Sequence, residues 1–267
     1  MLIIIDNTLT AIDHTLPSKE ELHLFCQLLF TIGVDIIELS TAIYQKMEYL
    51  PENGKYFLHI NSTDDMPIIE MSRNEMSRYD MSRNEMAGND ISNNDTIIID
   101  KANRKEIKRS GICGFVSRNT VLEDRVIPEI QINDPRELMK LKLLRGSKEL
   151  RIVGLDGILC YSYEKILKEL KNMLPGSSIQ FCPENHYHCA SALAVLWLTD
   201  YGNKITSSFA GHKNNAATEE VIMSMRLAVR RKPNSDLTVL PKLSKLYEKF
   251  TGSTIDSKKP ILGKKIF

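Results

Sequence analysis

The sequence predicts an α/β protein on a parallel sheet, either doubly wound or closed as a (β/α)8 barrel. Three observations carry that expectation. Short β-branched runs recur along the chain, helical patterns lie between several of them, and 267 residues suit one large barrel or two ordinary domains.

Residues 2–5, "LIII", form the first run, and a polar turn leads from it to the first helical pattern. Ser18 and Glu21 have the spacing of a capping box there. Leu22, Cys26 and Leu29 share one helical face, and Gly33 stops the helix. Further strand signals follow at 34–39, 56–60, 96–100, 126–132, 149–154, 177–182 and 205–210. With "GICGFV" at 111–116 as the doubtful one, nine candidate strands result, so eight is within reach. Helical patterns fill 134–145, 161–173, 190–200 and 217–231.

One segment departs from this alternation. Residues 71–95 are five tandem pentads, and a step of five advances about 140° around a helix and changes faces on a strand. The four Met and one Ile that recur in it therefore build no single apolar face. A disordered surface insertion with balanced charge is expected.

Composition narrows the function classes. Thirty-five Lys and Arg stand against 34 Asp and Glu, a formal charge of +1, so no global field steers the chain onto nucleic acid or an anionic membrane. The C-terminal lysines, Lys242, Lys245, Lys249, Lys258, Lys259, Lys264 and Lys265, lack interleaved aromatics and read as a solvated face. Five scattered cysteines without paired spacing read as reduced thiols, which implies a cytoplasmic protein. The start "MLIIID" is too soon charged for a signal peptide, and no apolar run approaches the roughly 18 residues of a membrane span.

The stretch "ENHYHCASA" offers the most visible candidate for metal chemistry. On a strand, residues two apart share a face, so His186 and His188 could converge on one cation. Two ligands are fewer than the three that a catalytic metal site takes from protein, so the pair needs further groups elsewhere.

Four segments carry a resemblance to a known family. "IIIDNTL" resembles "DTTLRDGEQ" of a first strand, "GVDIIELS" resembles "GVDxIExG" of a second, and "NNAATEEVIMSM" resembles "GNAxxEEVxMAL" after an eighth. The end, "LPKLSKLYEKFTGSTIDSKKPILGKKIF", is similar to the helix and "PxNKPIVGxNAF" linker that leaves the barrel. Together they resemble the DRE-TIM metallolyases, and within them the homocitrate and isopropylmalate synthases, over residues 1–60 and 96–267. The resemblance implies a (β/α)8 TIM barrel, degenerate at its site, over residues 1–235, followed by a C-terminal helix and linker over 236–267. The family's small helical region with "HESGIH" has no counterpart before Phe267.

In the family a metal sits on an Asp of the first strand, a His-x-His of the seventh and an Asn after the eighth, beside an Arg that steadies an enolate. Laid without gaps on "FCPENHYHCASA", the seventh-strand motif puts Cys182 and Glu184 at the two histidine positions and leaves His186 and His188 beyond them. Thr10 falls where the Arg belongs and Ala11 where the metal-binding Asp belongs. "GLDG" at Gly154 to Gly157 replaces "DTVG". The retained candidates are Glu38 in a catalytic role, Asp6 and His212 against substrate, and Asn215 with Cys182 and Glu184 for a metal. A divalent metal is a family trait that the loss at Ala11 weakens here. His14 lies near a family Gln and reads as a loop histidine.

These substitutions imply a homocitrate-synthase-like acyltransferase subunit for acetyl-CoA and 2-oxoglutarate that depends on a second synthase subunit. The split homocitrate synthase of nitrogen-fixing clostridia has such an arrangement, and its omega-type subunit is the better match. The alternatives are a non-catalytic binding barrel and a divergent metal-dependent aldolase or lyase.

Overall fold

Eight parallel strands close on themselves in chain order, which decides between the two parallel architectures. The structure is a computed structural model, and it describes residues 1–12, 17–52, 54–60, 111–118, 126–227 and 235–263. The strands are β1 (Ile3–Asp6), β2 (Ile36–Ser40), β3 (Tyr56–Ile60), β4 (Ile112–Ser117), β5 (Val126–Ile132), β6 (Glu149–Gly154), β7 (Ser178–Pro183) and β8 (Lys204–Ser207). Pairing of Ile3 to Asp6 with Lys204 to Ser207 shuts the barrel. The doubtful segment 111–116 supplies β4. The ninth candidate at 96–100, the pentad segment 71–95, His14 and the last lysines, Lys264 and Lys265, lie outside the described residues.

Helices cover the outside: α1 (Lys19–Ile32), α2 (Thr41–Met47), α3 (Asp156–Met173), α4 (Ala190–Leu196), α5 (Thr218–Leu227) and α6 (Leu240–Thr251). Both halves of the α1 capping box form, and Gly33 ends the helix at φ 108°. The pattern at 134–145 becomes a 3₁₀ helix over Pro135–Leu144, entered through an Asp134 cap. A π-helical turn at Trp197–Tyr201 continues α4. None of the described helices is long and apolar enough to cross a membrane. Cys26, Cys113, Cys182 and Cys189 form no disulfide.

Strand alternation divides the core in two. Ile4, Ile37, Leu39, Leu58, Phe115, Ile152, Phe181 and Ile205 pack against the helices. Ile5, Ile36, Phe57, Val116 and Ile127 form a separate apolar plug inside the barrel. Charged and polar side chains take other inward positions: register puts Glu129 beside Arg151 and Arg151 beside Gln180. A parallel barrel presents its chemistry at the C-terminal ends of its strands; at the opposite end Glu149, Lys204 and Gln180 form a separate polar cluster, with Lys204 Nζ 2.6 Å and Gln180 Nε2 2.7 Å from Glu149.

Candidate functional site at the barrel mouth

Glu38 and Arg151 organise the site. Both are fully buried, and one Glu38 oxygen accepts from Arg151 Nη2 at 2.5 Å while the other takes His59 Nδ1 at 2.7 Å. Arg151 also donates through Nη1 to Glu129 at 3.3 Å and through Nε to Gln180 at 3.0 Å. Arg118, near the rim, holds the other Glu129 oxygen at 2.8 Å. Burial alone would raise the Glu38 pKa, but the Arg151 guanidinium and the His59 hydrogen bond outweigh it and hold the carboxyl at about 2. Burial works against a charged His59, and the Glu38 carboxylate overcomes it and raises the imidazole above its ordinary value.

A carboxylate only accepts, so Nδ1 of His59 carries the hydrogen and Nε2 is left pointing away from Glu38. Among the described residues no hydrogen bond to Nε2 is seen, and the His59 side chain is 10% exposed. The arrangement thus presents one ring nitrogen whose proton affinity the hub has raised. None of His59, Arg151 and Glu129 is singled out by the sequence pattern. Their signal is a charged residue at an inward strand position, legible only once the eight-strand register is known.

A second cluster lies across the mouth, where Cys182 Sγ is 3.8 Å from Asn215 Oδ1 and Asn215 Nδ2 donates to Asn7 Oδ1 at 3.3 Å. Glu184 pairs with Asn215 through an isolated antiparallel bridge, and its carboxylate takes Gln131 Nε2 at 3.3 and 3.4 Å. The three residues carried over as metal candidates are therefore neighbours. Their chemistry does not fit a divalent cation. The Cys182 thiol lies against the Asn215 amide oxygen, Glu184 is held by Gln131, Asn215 offers only an amide, and Ala11 stands where the resemblance implies a carboxylate. Among the described residues no group of three or more His, Cys, Asp or Glu side chains is placed to hold a metal ion.

The histidine pair is not part of the cluster. β7 ends at Pro183, so His186 and His188 fall in the following turn, both exposed, with His188 at φ 56°. Period-two alternation does not apply beyond the strand. His186 Nδ1 lies 3.9 Å from the Glu184 carboxylate.

Asp6 and His212, carried over as substrate contacts, are engaged elsewhere. Asp6 faces the helix layer, fully buried, and accepts from Thr218 Oγ1 at 2.7 Å and Thr8 N at 3.0 Å. Burial raises its pKa to about 6 even though these hydrogen bonds oppose the shift. His212 has Nδ1 3.1 Å from Tyr247 Oη and Nε2 3.1 Å from the Ala11 carbonyl. A cavity of about 1060 Å³ lies at the opposite end of the barrel, by Phe30, Asp35, Ser178 and Trp197, away from all these groups.

No family model matches the chain. A sequence relative does: the homocitrate synthase omega subunit of Clostridium pasteurianum is 26% identical over 96% of this chain and 70% of that subunit. The chain is similar to that omega subunit. The resemblance carried by its motifs, to the homocitrate synthase branch of the DRE-TIM metallolyases, is thereby borne out. Solved structures agree on the fold. Hydroxymethylglutaryl-CoA lyase from Pseudomonas aeruginosa superimposes with a TM-score of 0.66 at 13% identity, covering 97% of this chain and 95% of that one. The HMG-CoA lyase of Bacillus subtilis gives 0.58 at 13% identity, covering 96% of each.

Proposed function

We propose that the chain is a homocitrate-synthase-like acyltransferase subunit that condenses acetyl-CoA with 2-oxoglutarate in company with a second synthase subunit. The observation that carries this reading is similarity, over 96% of the chain, to a protein named as one subunit of homocitrate synthase. The chemistry of the mouth supports the need for a companion. Thr10 turns its hydroxyl back onto the Asn7 carbonyl at 2.8 Å, and Ala11 offers only a methyl group, so the guanidinium and carboxylate that the resemblance implies come from elsewhere. In this reading the second subunit supplies them together with the histidine pair.

This chain's own residues then bind and orient. The Glu38–Arg151 pair fixes His59 at the mouth, and Asn7 and Asn215 offer amide groups that read the polar end of a small substrate. The same reading makes residues 1–235 the barrel and 236–267 its C-terminal strap, and places the chain in the cytoplasm with neither nucleic-acid nor membrane partners.

Release of CoA from acetyl-CoA and 2-oxoglutarate tests the proposal, measured for the chain alone, the second subunit alone and the mixture. Turnover is expected in the mixture only. Full turnover by this chain alone sinks the partner requirement. A chain that binds neither acetyl-CoA nor any 2-oxo acid, with or without the second subunit, is instead a non-catalytic barrel.

A further inference from the structure

The loop that joins β8 to α5 carries Asn215 into the mouth and does so on an unusual backbone. Ala210, Gly211, Lys213 and Asn214 have φ of 57°, 67°, 50° and 64°, and three of them are not glycine. A non-glycine residue in this region is strained and persists only where the surroundings over-determine it.

Several clasps do so. Phe209 N donates to Thr8 Oγ1 at 2.7 Å, Ala210 N to Glu219 Oε2 at 2.9 Å, Ser208 Oγ to the His212 carbonyl at 2.7 Å, and Asn185 N to the Asn214 carbonyl at 2.7 Å. One clasp reaches much further. The Ala11 carbonyl can only accept, so His212 Nε2 carries the hydrogen and, in the neutral ring, Nδ1 accepts from Tyr247 Oη–H. The Tyr247 ring meets His212 edge to face, with centroids 5.6 Å apart, and packs on Phe209 at 5.5 Å. A single imidazole thus joins α6, the loop after β8 and the loop after β1.

We infer that Tyr247 and His212 are positioning residues: through them α6 sets where Asn215 and the Thr10–Ala11 turn stand in the mouth. The Asn215 amide N–H is bonded to the His212 carbonyl at 3.3 Å, so a shift of His212 passes directly to Asn215 and to its contacts with Asn7 and Cys182. The inference about turnover rests on the proposed function; the inference about geometry does not.

The test compares Tyr247→Phe, His212→Leu and His212→Gln in the full chain. Gln keeps an acceptor for Tyr247 and a donor for Ala11. Amide exchange at Gly211, Asn215 and Ala216 is expected to speed up about fivefold in Tyr247→Phe and more in His212→Leu, while α1 amides stay unchanged. In the mixture with the second subunit, kcat falls about tenfold in His212→Leu with little change in the KM for acetyl-CoA, and His212→Gln restores most of it. Unchanged exchange across 209–216 in both Tyr247→Phe and His212→Leu overturns the inference. So does faster exchange without any fall in kcat. If the unmutated mixture is inactive, the proposed function fails and the exchange result alone decides the clasp.

Discussion

Glu38 and Glu219 are both sealed from solvent, yet their pKa values move in opposite directions. Glu38, inside the barrel, meets a guanidinium and an imidazole, and its carboxyl is held at about 2. Glu219, between the barrel wall and α5, has the Ala210 amide on one oxygen and no partner for the other among the described residues. Burial raises it to about 7, and Asp6 nearby to about 6. Burial is common to all three, and what differs is a cation in direct contact: Arg151 is hydrogen-bonded to Glu38, whereas Lys259 acts on Glu219 only through its field and is outweighed by burial. The difference separates a charged hub, which orients His59 at the mouth, from hydrogen-bonded carboxyls that anchor loops.

Breaking the hub gives the largest effect. Arg151→Met leaves Glu38 and Glu129 buried without their shared cation and is expected to cost about 3–5 kcal/mol in urea unfolding. Adding Glu38→Leu to it recovers part of the loss, because one stranded charge is gone. A cost under about 1 kcal/mol for Arg151→Met would mean that the guanidinium does not hold the carboxylates.

The two sites also carry opposite pH signatures. Glu38, depressed on folding, contributes stability that is present above the ordinary carboxylate range and is lost as pH falls toward 2. Glu219, raised on folding, makes the fold most stable below pH 4.5, with stability lost as pH climbs through about 7. Glu219→Gln should therefore stabilise the protein at pH 8 by about 1 kcal/mol or more and change little at pH 4. Urea midpoints at the two pH values check the sign.

The smallest effect belongs to a surface pair. Lys249 contacts Glu21 across α6 and α1, but its side chain is 64% exposed. Lys249→Ala is expected to cost less than about 1 kcal/mol, and added salt should erase even that. A cost as large as that of Arg151→Met would show that desolvation is not what separates the hub from the surface.

How far the sequence reveals all this depends on how local each signal is. The Ser18 box and the Gly33 stop are readable because cap chemistry is confined to a few residues. Strand β4 is harder, since Gly114 within it and Gly111 just before it dilute the β pattern, and α2 offers only seven residues of periodicity. The hub is hidden for a different reason: Glu38 and Arg151 are 113 residues apart, and only barrel closure makes them partners. His186 and His188 mislead because a two-residue spacing has meaning only on a strand, and β7 has ended by then. The gap-free alignment serves better there, since Cys182 and Glu184 do stand beside Asn215. What it leaves out is their surroundings, where the thiol lies against the Asn215 amide oxygen and Gln131 holds Glu184.

The claim that a cation in direct contact, rather than burial, decides which way these carboxyls shift has a direct test. Side-chain carboxyl carbons of Glu38 and Glu219 can be followed by NMR across a pH titration of the folded chain. The account predicts that Glu38 stays ionised down to about pH 2 while Glu219 titrates near 7. Both titrating together near 4.5 would contradict it, as would a Glu38 that takes up its proton first.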